Sequence, residues 1–384
     1  MKKYKILLAL VIIITFLGGF FSGVLYSSNY DKNGKEKTYN TQSLSHSEKH
    51  PPIKNVPNAV EKKPKVLIGY VQDFRNPDTV DYTNLTHVIF SFAHPTKDGH
   101  VLLTSPTAKK NLKKMVDDAH SHNKKAMIAI GGWFHLYGGV SYQYFKPAIV
   151  NPVTRERLVN ELISLADQEK LDGIDIDFEH PRSQQDAQSL AAFAKSLGER
   201  LHSSHKELSL AVHAKINSET LAEAHGIIYD TSMFQYADHV NIMAYDGQWD
   251  GGYNAANLSP YPFTEKIVNY WSGLFEANKI PKEKLVLGVP LYGQPDDPAI
   301  KQVSYSTIIK SNPENAKRDT IQMNGTTYHY NGETTIQRKT NLALTHGFGG
   351  MMLWEEGHDL QGPLSASASI NKTMQEDKLV TSAK

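Results

Sequence analysis

The chain has 384 residues, with 41 Lys and Arg against 40 Asp and Glu, a formal net charge of +1. That balance disfavours a nucleic-acid partner, which needs a basic excess to displace counterions from phosphates, and it disfavours an acidic disordered chain. The absence of cysteine excludes a disulfide framework, thiolate metal sites and a cysteine nucleophile.

Lys2, Lys3 and Lys5 precede an apolar run from Ile6 to Leu25 that only Thr15, Ser22 and a few glycines interrupt. A run close to the ~20 residues a helix needs to cross a bilayer reads as an export element over residues 1–28. The expectation is an uncleaved signal-anchor that contacts the membrane, with a cleaved signal peptide as the alternative. The lysines keep the N-terminus cytoplasmic and put the remainder outside, membrane-anchored or secreted. Residues 29–65 carry Pro51, Pro52, Pro57 and Pro64 among many Lys, Asn and Ser, with few large aliphatics, and are expected to form a disordered tether.

From residue 66 to residue 384 short apolar runs alternate with longer amphipathic ones. Strands are expected at Val66–Val71, His87–Ala93, Ala126–Gly131, Gly173–Phe178, Leu208–His213, His239–Tyr245, Leu285–Pro290 and Phe348–Trp354. Helices are expected at Ala108–Asn123, Thr154–Lys170, Gln184–His205, Glu219–Ile228, Phe263–Asn278, Glu333–Leu344 and Ser365–Glu376. Eight strands separated by helices predict a (β/α)8 TIM barrel. The long interval from Gln294 to Gly332, with a small strand at Thr326–Tyr330, predicts an excursion after the seventh strand.

The richest segment is Leu171-Asp172-Gly173-Ile174-Asp175-Ile176-Asp177-Phe178-Glu179. Strand side chains alternate faces, so Ile174, Ile176 and Phe178 point toward the helices while Asp175, Asp177 and Glu179 point into the barrel. The carboxylates climb in steps of about 6.5–7 Å to the C-terminal mouth, where barrel enzymes place their chemistry. Like charges in a shielded site resist ionising together, and Glu179, nearest the mouth, is best placed to donate the retained proton. The same carboxylates have the oxygens for calcium or magnesium, but spacing along one strand does not close a coordination sphere, so neither a metal nor a cofactor is expected.

Asp-Gly-Ile-Asp-Ile-Asp-Phe-Glu resembles the signature of family 18 glycoside hydrolases, the chitinases and their relatives. The likeness extends through Gly69-Tyr70, Ser91-Phe92, Gly131-Gly132-Trp133, Met243-Ala244-Tyr245-Asp246, Gly288-Val289-Pro290-Leu291-Tyr292-Gly293 and Trp354, each at an expected strand end. The resemblance implies a retaining hydrolase of β-1,4-linked N-acetylglucosamine polymers in which the substrate's own acetamido carbonyl attacks, the family being an exception to the two-carboxylate scheme. It implies Glu179 as general acid/base, Asp177 orienting the acetamido nitrogen, Asp175 sharing charge with Asp177, and Tyr245 holding the acetamido oxygen. Asp246 would bind the distorted sugar and Trp354 would form its apolar floor.

Trp133 and Trp249 are candidate floors for leaving-group sugars, with Tyr292 a further candidate, because pyranose C–H faces stack on aromatic rings. His180 and His213 near the mouth read as hydrogen-bonded structural residues. Two departures from the family pattern stand out. Ala129 replaces a serine, so Asp175 loses one hydroxyl partner and keeps Tyr70, and Gln294 stands where many members carry arginine. Other readings on the same catalytic strand are an endo-β-N-acetylglucosaminidase, a peptidoglycan glycosidase and a non-catalytic chitin-binding lectin. The intact Glu179 argues against the lectin.

Overall fold

A computed structural model describes residues 64–382. The export element over 1–28 and nearly all of the tether lie outside the described residues. Among the described residues no helix is long and apolar enough to cross a membrane.

The strands run in chain order as β1 (Val66–Gln72), β2 (His87–Pro95), β3 (Val101–Leu103), β4 (Lys125–Gly131), β5 (Gly173–Asp177), β6 (Glu207–His213), β7 (His239–Met243) and β8 (Leu285–Pro290), then β9 (Tyr292–Pro295), β10 (Val303–Ser304), β11 (Thr320–Met323), β12 (Thr326–His329) and β13 (Gly350–Trp354). Eight of them form a parallel sheet in the order β1-β13-β8-β7-β6-β5-β4-β2, and β2 pairs back onto β1 to close the barrel. All eight are the strands expected from the alternation of apolar runs. The excursion after the seventh barrel strand is a separate antiparallel sheet of order β10-β9-β12-β11.

Capping chemistry sets where the helices begin. Ser105, Asn151 and Ser183 accept backbone N–H groups of Ala108, Val153 and Asp186, starting the helices Pro106–Ser121, Pro152–Gln168 and Gln184–Ser203. Each cap satisfies one of the donors a helix leaves without an internal partner. Inside the barrel, Ile68, Tyr70, Ile89, Met127, Ala129, Val286 and Met352 pack as a core of their own, separate from the larger apolar layer between strands and helices.

The helix expected at Glu219–Ile228 does not form. Asn217 takes the N–H groups of Glu219 and Thr220 on its side-chain oxygen, and Leu221 adopts a left-handed φ of 56°. The buried Lys215 ammonium then occupies the carbonyls of Ala224 and Ile227. Those side-chain bonds take groups the helix ladder would need, so the segment turns back and Ile216 bridges Glu223 in antiparallel fashion.

Candidate active site

The inward face of β5 carries the acids to the barrel mouth. Asp175 and Asp177 are buried, at 0% and 4% exposure, whereas the Glu179 side chain, just beyond the strand, keeps 18%. Close approach of β4 makes this possible. A Cβ on Gly131 would come within 2.1 Å of the Asp177 carbonyl oxygen, and Gly131 has a φ of 124° that L side chains rarely adopt, so only glycine lets the two strand ends meet here.

Asp175 is the best-satisfied acid. Tyr70 donates its hydroxyl to Oδ2 at 3.0 Å, Ser209 donates to Oδ1, and Asn241 donates to Oδ1 at 3.4 Å and to the Tyr70 oxygen at 2.8 Å. Burial pushes the Asp175 pKa up to about 6, and the three donors pull against that rise. Sequence reasoning found Tyr70 but missed Ser209 and Asn241. The signal was present, since both are polar residues between apolar neighbours on β6 and β7 and therefore share the inward face. Ser209 supplies from β6 the hydroxyl that Ala129, its fully buried counterpart across Asp175 on β4, does not.

This arrangement predicts the outcome of Ser209→Ala. Removing a donor to the charged form raises the Asp175 pKa from about 6, so the acidic limb of the kcat/KM profile moves to higher pH by a fraction of a unit to about one unit. A pH–rate profile of the folded variant checks it, and a limb that stays in place counts against Asp175 as the group that titrates there.

Asp177 has no such support. Its Oδ1 is buried without a hydrogen-bond partner, and burial, then the charges of Glu179 and Asp175, hold its pKa well above the usual carboxylate range. The Glu179 pKa is pushed up to about 8 by burial and then by Asp246, so Glu179 carries a proton at neutral pH. Its Oε2 is 3.8 Å from His180 Nδ1. His180 and His213 both have pKa values lowered to about 4, chiefly by burial, so they are neutral. His213 accepts the Lys215 N–H at 3.0 Å, the structural role expected of it.

The far wall comes from the end of β7 onward. Asp246 adopts a left-handed conformation, which aspartate tolerates better than most residues, and accepts hydrogen bonds from Tyr292 and, at 3.1 Å, from Gln248. Its own pKa is raised by burial against the opposing pull of those two donors. Tyr245 is buried with its hydroxyl 3.8 Å from Met352 Sδ. Burial and the neighbouring Asp246, Asp177, Glu179 and Asp175 all raise its pKa, so it remains a hydrogen-bond donor. Trp354 stands edge-on to Tyr70, 5.7 Å between ring centres, and packs with Met243 against the barrel's inner core.

The remaining aromatics lie at the rim. Trp133 is 42% exposed, meets His180 edge-on at 4.7 Å, and lines with Gly132, Asp177, Glu179 and Arg182 a recess beside the acids. Trp249 is 60% exposed and packs on Tyr253 at 4.8 Å. Gln294, at the position of the expected arginine, is buried and donates to the Tyr253 hydroxyl at 2.8 Å.

Because the Asp246 charge contributes to the high Glu179 pKa, Asp246→Asn is expected to lower that pKa. The alkaline limb of kcat/KM, where the protonated acid is lost, then moves to lower pH by up to about one unit. Comparing the limb in the two proteins tests the electrostatic link independently of any loss in peak rate.

The sequence model of glycosyl hydrolases family 18 matches residues 66–359, the barrel just described. The chain belongs to this family. A chitinase-like effector of Moniliophthora roreri is 32% identical over 236 residues, 56% of this chain and 54% of that protein. The class V chitinase CHIT5 of Lotus japonicus is 25% identical over 331 residues, covering 76% of this chain and 81% of its own. The crystal structure of a chitinase from Bacteroides thetaiotaomicron is 26% identical, with a TM-score of 0.67 over 82% of this chain and 98% of that one. This chain thus spans about half the length of the Moniliophthora relative and most of the other two. Membership supports a chitin-type glycoside hydrolase, and in this family 18 barrel Asp175 and Asp177 of β5, Glu179 beyond it, Tyr245 and Asp246 after β7 and Trp354 at the end of β13 come from neighbouring strand ends.

Proposed function

We propose that the protein hydrolyses β-1,4-linked N-acetylglucosamine polymers, chitin or chito-oligosaccharides, with retention of configuration and with the substrate's acetamido group as nucleophile. One observation carries the reading: Glu179 stands at the mouth just beyond β5, with Asp177 and Asp175 lined up behind it on that strand, and burial pushes its pKa up to about 8. Glu179 gives its proton to the glycosidic oxygen as the C1–O bond breaks. The acetamido carbonyl oxygen closes on C1, Asp177 Oδ1 accepts the acetamido N–H, and the Tyr245 hydroxyl donates to the acetamido oxygen. Water then attacks C1 and returns a proton to Glu179 as the oxazolinium ring opens. Asp175 shares charge with Asp177, and Trp354, Trp133 and Trp249 offer rings to successive sugars.

The test is a product analysis on chito-oligosaccharides, deacetylated chitosan, an N-glycoprotein and peptidoglycan in parallel. Fresh β anomers from acetylated substrate, with deacetylated chitosan cut far more slowly, are expected. Equal rates on chitosan and chitin, or mainly α products, would sink the mechanism. Preferred cleavage of the glycoprotein or of peptidoglycan would move the substrate to one of those classes. The proposal includes action outside the cytoplasm, resting on the apolar run at Ile6–Leu25. Mass spectrometry of the mature N-terminus distinguishes an anchor from a cleaved signal.

A further inference from the structure

The opposite end of the barrel holds a second cluster. His87, Glu207 and His239 begin β2, β6 and β7, and all face inward. Ser209 and Asn241, two residues further along β6 and β7, bond to Asp175 inside the barrel, and Ile89, two residues beyond His87, belongs to the inner core.

His87 Nε2 is 2.9 Å from Glu207 Oε2, His239 Nε2 is 3.5 Å from the same oxygen, and one ligand atom from each residue fits within a 4.8 Å set. A tetrahedral ion bound at about 2.0–2.2 Å spaces its ligand atoms roughly 3.3–3.6 Å apart, so small side-chain shifts suffice. The Thr86 hydroxyl accepts the Leu67 N–H and lies 2.7 Å from His87 Nδ1; when it donates to the Leu67 carbonyl it accepts from Nδ1–H, the tautomer that frees Nε2 for an ion. In that tautomer the Nε2 lone pair faces Glu207 Oε2, and an ion between them replaces the 2.9 Å hydrogen bond that the other tautomer makes. Both ring nitrogens of His239 are buried without a hydrogen-bond partner. Lys125 pairs with Glu207 Oε1, so Oε2 is the oxygen turned to the two histidines.

We propose that His87, Glu207 and His239 bind a divalent transition-metal ion of the zinc class on the floor of the barrel, with water completing the sphere. The ion joins β2 to β6 and β7 across the interior. Its role is structural, since the N-terminal end of such barrels serves stability and the acids lie at the other end.

The experiment titrates metal-free full-length protein with zinc sulfate and, separately, with cobalt(II). One equivalent of zinc should bind and raise the Tm by about 3–6 °C at zinc 100-fold above its Kd, with hydrolysis unchanged. Cobalt should give the intense visible bands of a tetrahedral nitrogen–oxygen site. Glu207→Gln and His239→Asn should lose both signals. His100→Asn, which alters a surface histidine paired with Glu161, should keep them. No zinc-dependent rise in Tm, or a rise that persists in both floor variants as surface histidines would produce, overturns the proposal. Where the floor variants do not fold, the wild-type cobalt spectrum decides, and weak octahedral bands or none overturn it.

Discussion

Glu179→Gln is expected to lower kcat on chito-oligosaccharides by at least about 10²-fold while leaving oligosaccharide binding and Tm close to those of the parent. Proton donation by a positioned acid is worth about 10²–10⁴-fold, and the amide keeps the shape but has no acidic proton to give. The structure adds a reason to expect the upper part of that range. Burial and then Asp246 push the Glu179 pKa up to about 8, which favours the acid form near neutral pH, the form the amide cannot replace. For the same reason wild-type kcat/KM should fall above about pH 8, and the variant's residual rate should lack that limb. Turnover within about tenfold of wild type would remove Glu179 from the acid role.

Asp177→Asn should separate activity from stability. Asp177 is buried, its Oδ1 has no partner, and its pKa lies well above the unfolded value because of burial and the charges of Glu179 and Asp175. A carboxyl whose folded pKa is raised binds more protons folded than unfolded, so its contribution to stability falls as pH climbs above the unfolded pKa near 4. At pH 7 the neutral amide escapes that penalty. The variant should therefore melt a few degrees above wild type at pH 7, and the advantage should vanish near pH 4. Its kcat should drop by about 10²–10³-fold, the loss typical when one preorganised group facing developing charge is removed. Calorimetry at the two pH values and kinetics on one oligosaccharide check both halves. Equal Tm at pH 7, or near-normal kcat, contradicts this account of Asp177.

The elements that sequence reasoning found and those it missed differ in the range of their causes. Strand alternation is a local property, so the eight barrel strands and the inward line Asp175, Asp177 and Glu179 followed from neighbouring residues alone, and the motif likeness put Tyr245, Asp246, Tyr292, Met243 and Trp354 beside that line. The segment Glu219–Ile228 failed as a helix because Lys215 and Asn217, both outside it, claim its backbone groups. Ser209 and Asn241 were marked as inward-facing by their apolar neighbours, but which carboxylate each reaches depends on strand register, which alternation within β6 or β7 does not give. The floor cluster of His87, Glu207 and His239 was invisible for the same reason, its members being far apart in the chain.

The chain of residues by itself determined the barrel, the order in which its strands arrive, and the identity and facing of the acids, because backbone periodicity and turn chemistry act over a few residues. Only the tertiary structure decided how burial and Asp246 act on the acid at the mouth, which hydroxyl replaces the serine absent at Ala129, and where two histidines meet a glutamate. Those outcomes depend on burial and on approaches of a few ångströms between strands far apart in sequence, and both exist only once the barrel has closed.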